Sequence, residues 1–170
     1  MVEFGAGGST LYWLGIGASV TCVEHDPVWA ESVRERARAI FGNSALLDLR
    51  VVPPKQAENA AELAEYGTTD ESLRHLSFRS YVHAVDDVDD GSVDLVMVDG
   101  RARSAALRRA ARKAGPNGLL VLANSERDEY QEAQRELGVQ GWVWKRYFGP
   151  VPYLRHFSET AIAQRLANHT

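Results

Sequence analysis

Cysteine is nearly absent: Cys22 is the single one in 170 residues. That excludes a disulfide framework and the small secreted scaffolds that need one, and a cytoplasmic setting is expected. Cys22 lies in an apolar stretch and reads as buried packing. No apolar run approaches the roughly 20 residues of a membrane span, and no secretory leader is visible. Positive charge is in deficit as well, with 19 Lys and Arg against 23 Asp and Glu and a formal net charge of −4. Nucleic acid is therefore disfavoured as the main partner, because non-specific binding rests on neutralising phosphates. The length suits one well-cored domain over residues 1–170 rather than two.

What is present begins at the first residues. Val2-Glu3-Phe4 is apolar enough for a strand and runs into Gly5-Ala6-Gly7-Gly8, after which Ser9 to Leu14 reads as a helix. Val20 to Glu24 is a second apolar strand that ends on a carboxylate. This is the layout of a nucleotide-type cofactor site. Glycines at 5 and 7 let a ligand lie against bare main chain. The helix that follows presents unpaired amides and partial positive charge to an anionic group, with Ser9 and Thr10 as caps that also face it. Glu24 is placed to accept hydrogen bonds from both hydroxyls of a ribose. His25, next in the chain, is a candidate for packing against a base, with an exposed loop position as the alternative.

Two cofactor classes share this layout. The dinucleotide fingerprint calls for a third glycine where this chain has Thr10, and it needs no acid in the first strand. Here that acid is Glu3. Glu3-Phe4-Gly5-Ala6-Gly7-Gly8-Ser9 resembles the first motif of class I S-adenosylmethionine (SAM)-dependent methyltransferases, in which an acidic residue precedes the glycine turn. The resemblance implies a site for SAM, and for its product S-adenosylhomocysteine (SAH), built from Glu3, Gly5, Ala6, Gly7, Ser9, Thr10, Glu24, His25 and Asp99. Members of that family usually carry helices ahead of the first strand, whereas only Met1 and Val2 precede Glu3 here. The expectation is a minimal member, or a chain that begins late, whose exposed site a neighbouring subunit of a homo-oligomer would complete.

Farther along, Asp26 and Pro27 open a helix to about Phe41 with Trp29, Val33, Ala37 and Ile40 on one face. Leu49 to Val52 reads as a short strand, Lys55 to Thr69 as a loop or weak helix, and Asp70 as the cap of a helix carrying Leu73, Leu76, Tyr81, Ala84, Val85 and Val88. Ser92 to Gly100 is a buried central strand ending on Asp99. A basic helix to about Ala114 is closed by Gly115-Pro116; Gly118 to Asn124 is a strand; Ser125 caps a helix ending near Gly138. Gly141 to Phe148 and Glu159 to Gln164 are two strands with no helix between them, easiest to pair antiparallel. The fold class expected is α/β: a Rossmann-like, doubly wound, mostly parallel seven-stranded sheet with an antiparallel last strand, as in class I methyltransferases. That terminal pair also disfavours an NAD-dependent enzyme.

The resemblance implies methyl transfer from SAM to an oxygen or nitrogen of a small-molecule acceptor. Asp99 would lie beside the reacting groups as cofactor or substrate contact and general base; capping the next helix is its plain structural role. In divalent-metal O-methyltransferases an aspartate at this point joins an Asp-Asn pair after the next strand to hold magnesium. This chain has Ala123-Asn124, so one oxygen ligand is missing and no tight metal site is expected. Ala123 and the short N-terminus motivate an alternative, a non-catalytic domain that binds SAM or SAH as a structural or interaction partner. Arg101 and Arg103 are candidates for receiving an anionic substrate, within a basic stretch that includes Arg108, Arg109, Arg112 and Lys113. Tyr81 and the four tryptophans are assigned to the core and His83 to solvent, while His156, in Tyr153-Leu154-Arg155-His156, is only a candidate for the substrate rim.

Overall fold

Strands and helices alternate through the first five strands of the main sheet, because continuous apolar runs of strand length are separated by helices with one apolar stripe. The computed structural model describes residues 1–43, 46–151 and 155–165. β1 (Val2–Phe4) leads into α1 (Gly8–Gly15), β2 (Val20–Glu24) into α2 (Pro27–Phe41), and β3 (Leu47–Val51) closes the first half. β4 (Lys55–Gln56) and β5 (Leu76–Ser77) form a small antiparallel pair around α3 (Ala60–Tyr66), followed by α4 (Arg79–Val82). The second half runs β6 (Val93–Val98), α5 (Arg103–Ala110), β7 (Ala114–Ala123), α6 (Gln131–Val139), β8 (Trp142–Pro150) and β9 (Phe157–Arg165).

The main sheet has seven strands in the order β3-β2-β1-β6-β7-β9-β8. β3, β2, β1, β6 and β7 are mutually parallel, while β9 pairs antiparallel with both β7 and β8. The last strand is thus the reversed one, inserted between its two neighbours. Strand order changes direction between β1 and β6, so a crevice opens there at the carboxyl ends of the strands.

Alternation along each strand sends side chains to two separate cores. Val2, Phe4, Val96 and Val98 join Phe78, Tyr81, Leu107 and Leu137 on one face. Val20 and Cys22 join Leu14, Val33 and Ala37 on the other. Glu3, between Val2 and Phe4, must point to the second face, under α1. Among the described residues no helix is long and apolar enough to cross a membrane.

Several expected elements form differently. No single helix starts at Asp70: its carboxylate accepts the Ser72 amide (3.1 Å) and hydroxyl (2.6 Å), fixing a turn that competes with helix. Leu76 and Ser77 are then drawn into β5 against β4, and helical structure is limited to α4 and a 3₁₀ turn over His83–Val85. Gly115-Pro116 does not close α5, which ends at Ala110; Ala114 already pairs with Val93, and the register shifts before Leu119 meets Leu95. Ser125 is not a helix cap either. Its hydroxyl donates to Glu159 and its amide to the Glu159 carbonyl, which ties it to β9, and α6 begins at Gln131 after a 3₁₀ turn over Asp128–Tyr130.

Candidate active site

Glu3 is fully buried, and both its oxygens are engaged: Oε1 accepts the Ser9 hydroxyl and Oε2 the Thr10 hydroxyl, each at 2.6 Å. Thr10 Oγ1 in turn accepts the Gly7 amide at 2.9 Å. Burial pushes the Glu3 carboxyl pKa up, against the opposing effect of those hydroxyls. Glu3 and Thr10 therefore sit beneath the glycine turn and hold it, while Gly5, Ala6, Gly7 and Ser9 face the crevice.

The two leading glycines do different work. Gly5 has φ +95°, and a Cβ there would lie 2.8 Å from the Gly100 backbone, so β1 and β6 approach closely only because both positions lack side chains. Gly7 is extended, and a Cβ placed on it would meet nothing within 4 Å. The space over Gly7 is the open interior of a cleft of about 700 Å³ whose walls include Gly5 to Ser9, Glu24 to Asp26, Trp29 and Asp99 to Arg101.

Glu24, at the end of β2, closes the cleft's far side. Its Oε2 accepts the Ala6 amide at 2.9 Å, and Oε1 accepts the amides of His25 (2.7 Å) and Asp26 (2.9 Å). Burial raises the carboxyl pKa, but the His25 ring and these amides outweigh it and hold Glu24 below the ordinary carboxylate range. A charged carboxylate thus stands beside the glycine turn with Oε2 committed to one amide. His25 is half-buried, its ring packed 5.7 Å from Phe78 and 6.3 Å from Tyr81. Its ring thus rests on the core while the residue also lines the cleft beside Glu24.

Asp99 follows β6 directly. Its side chain is 47 % exposed to the cleft, yet enough protein surrounds it that burial raises its pKa, opposed by Arg103, Arg127 and Arg101. Arg103, only 8 % exposed, is not available to a substrate. It donates to the carbonyls of Asp99 (2.9 Å), Gly100 (3.0 Å) and Ala123 (2.6 Å) and to Asn124 Oδ1 (2.8 Å), and pairs with Asp99 Oδ1 at 3.0 Å. A guanidinium thus bridges Asp99 and Asn124. Arg101 pairs with Asp70 at 3.0 Å.

The rest of the basic stretch is also matched by acids: Arg108 with Glu136, Arg109 with Asp86, and Arg112 and Lys113 with Asp90. Lys113 is buried, and its ammonium also donates to the Val88 carbonyl at 2.6 Å. Tyr81 lies fully in the core, in edge contact with Phe4. His83 is not simply solvated, since its ring lies between Asp86 (2.9 Å) and the Tyr66 hydroxyl (3.3 Å). His156 is exposed; Tyr153 and Leu154 beside it lie outside the described residues.

Sequence patterning misplaces further residues, among them Ile40, expected on the core face of α2 and 62 % exposed. Trp29 has the spacing of the core stripe of α2, but it is 43 % exposed and lines the cleft, while Ala30 is the buried residue of that turn. Arg103 lacks any sequence signal for its clamp, because its acceptors are mostly backbone carbonyls from two strand ends. A second cavity, of about 580 Å³, adjoins the first at Gly100 and Arg101 and extends over α3, α5 and the Asp128–Tyr130 turn. Its walls carry four arginines, Arg103 among them, and four carboxylates, Glu129 among them.

No family model matches the sequence, and no curated protein matches it either. Solved structures do. The chain is similar to the O-methyltransferase TomG from Streptomyces achromogenes, solved with SAM, at 14 % identity over 96 % of this chain and 71 % of that one, with a TM-score of 0.62. It is similar to geranyl diphosphate C-methyltransferase from Streptomyces coelicolor A3(2), solved with Mg²⁺, geranyl diphosphate and SAH, at 12 % identity, 97 % and 70 % coverage and a TM-score of 0.57. Spermidine synthase with the transition-state analogue AdoDATO matches at 14 % identity, 95 % and 51 % coverage and a TM-score of 0.58. The fold is that of the class I SAM-dependent methyltransferases.

Proposed function

We propose that this chain, built on the class I methyltransferase fold, binds SAM in the cleft between the glycine turn and Glu24 and transfers its methyl group to an oxygen or nitrogen of a small polar acceptor held in the adjoining cavity. The observation that carries the reading is the convergence of Glu24 on the Ala6 amide, 2.9 Å apart, beside a Gly7 whose side-chain position is open. The acid and the bare main chain, far apart in sequence, form one cleft.

The residues present suit the group. Gly5 to Ser9 and the N-terminal amides of α1 would face its carboxylate end, Glu24 Oε2 would take a ribose hydroxyl, and Asp99 and Arg101 would border the reacting end. When bound, SAM supplies an activated methyl group on a sulfonium. The chain's own task is alignment of the acceptor and exclusion of water, and positioning of this kind supplies roughly 7–11 kcal/mol of barrier reduction. The two cavities meet at Gly100 and Arg101, so the ligand's reacting end and an acceptor would lie side by side there. Asp99, with its pKa raised by burial, is the group placed to take a proton from an acceptor that arrives protonated.

The test is transfer of labelled methyl from SAM to a panel of small hydroxyl and amine acceptors, run with wild type and Asp99→Ala. Transfer that falls in the variant while SAH affinity is retained supports the assignment. Unchanged turnover removes Asp99 from proton transfer. Firm SAH binding with no transfer to any acceptor favours the non-catalytic reading instead.

A further inference from the structure

Trp29 is an anomaly of packing. Of the four tryptophans it is the one with 43 % of its surface exposed; Trp142 is buried, and Trp13 and Trp144 are partly buried against the cores. A large apolar ring left in water forgoes its burial energy, so its position calls for a partner or a constraint. The structure shows a constraint. The indole Nε1–H donates to the Ala6 carbonyl at 2.6 Å, and the Trp29 amide is held by Asp26 Oδ1 at 3.1 Å. The Arg36 guanidinium lies 5.9 Å from the ring centroid.

Ala6 is consequently gripped at both polar groups: its amide by Glu24 and its carbonyl by Trp29. The ring is fixed as a wall of the cleft on the side of Glu24 and Asp26. We infer that Trp29 is a nucleoside-contacting residue, its exposed indole packing against the ribosyl-adenine portion of the ligand while its N–H holds the glycine turn in the binding shape. This role rests on the cleft being the SAM site. It adds an aromatic contact and a positioning hydrogen bond that the glycine turn and the ribose-binding acid do not supply.

The experiment uses SAH as probe on the full chain, with calorimetry and tryptophan emission followed in the same titration. Wild type is expected to show an emission change that saturates with the calorimetric isotherm. Trp29→Phe keeps a ring but loses the donor; the emission change should vanish and affinity should fall about 3- to 10-fold, the range of one hydrogen bond. Trp142→Phe, away from the cleft, should keep both signal and affinity. An emission change of full size in Trp29→Phe, with unaltered affinity, overturns the inference and leaves the SAM reading intact. No heat of binding in wild type overturns both. Should Trp29→Phe fail to fold by circular dichroism, acrylamide quenching of wild type decides: SAH must shield the exposed fluorophore, and unchanged quenching at calorimetric saturation overturns the assignment.

Discussion

Glu3 and Thr10 share a 2.6 Å hydrogen bond beneath the glycine turn, and the same Thr10 oxygen accepts the Gly7 amide at 2.9 Å. A buried acid in the first strand thereby sets the backbone that faces the ligand, through one hydroxyl. Thr10→Val removes the hydroxyl at nearly constant volume and leaves an amide and a buried carboxylate oxygen without their partner. We expect a loss of about 1–3 kcal/mol in urea denaturation, together with weaker SAH binding by calorimetry. Thr10→Ser, which retains the oxygen, should recover most of both.

Gly5 and Gly7 separate structure from function. Gly5→Ala meets the Gly100 backbone at 2.8 Å and strains a φ of +95°, and should cost at least about 2 kcal/mol of stability. Gly7→Ala meets nothing within 4 Å, so its melting curve should overlay that of wild type. Its methyl group projects into the cleft, and SAH affinity should drop about tenfold or more. Equal SAH affinity in Gly7→Ala would mean that the ligand does not lie against this turn.

Arg103 clamps the ends of β6 and β7 through three carbonyls and Asn124 while it faces Asp99. Arg103→Met would strip the donors from all of them inside a buried site and should destabilise the fold by about 3–5 kcal/mol, read by chemical denaturation. Arg103→Lys should restore only part, because an ammonium cannot reproduce the planar fork.

Asp86 accepts from Arg109, and that hydrogen bond, with His83 beside it, lowers its pKa to about 2 from an ordinary 3.8. A carboxyl whose pKa is depressed in the folded state contributes stability that is present above pH 3.8 and is lost as pH falls toward 2. Asp86→Asn should therefore be less stable than wild type at neutral pH. The difference should be about 1 kcal/mol, since solvent screens a carboxylate that is more than a third exposed. In denaturation curves measured as a function of pH, the gap should close between pH 3.8 and about 2.

Much of the architecture is legible in the residues. The apolar run of β6 is too continuous for a strand exposed on one face, the glycines and turn residues bound β1, β2 and β7, and the two strands at the C-terminus announce the reversed strand by having no helix between them. Gly5, Gly7 and Glu24 point to the cleft for the same local reasons that shape it. What escapes is tertiary. Asp70 looks like a helix cap until its carboxylate is seen closing a turn onto Ser72, with Arg101 drawn to it. Trp29 has the spacing of a core residue, and only the position of Ala6, brought across in the turn after β1, turns its ring into a wall. Arg103 reads as a candidate for an anionic substrate because nothing in a linear pattern gathers backbone carbonyls from two strand ends.

Whether the cleft between the glycine turn and Glu24 is a SAM site is decided by calorimetric titration with SAH of wild type, Glu24→Ala and Gly7→Ala. A one-site isotherm is expected for wild type, with binding lost or strongly weakened in both variants and Gly7→Ala still folded like wild type. An absence of binding by the wild-type chain, or affinity unaltered in both variants, would contradict a SAM site there.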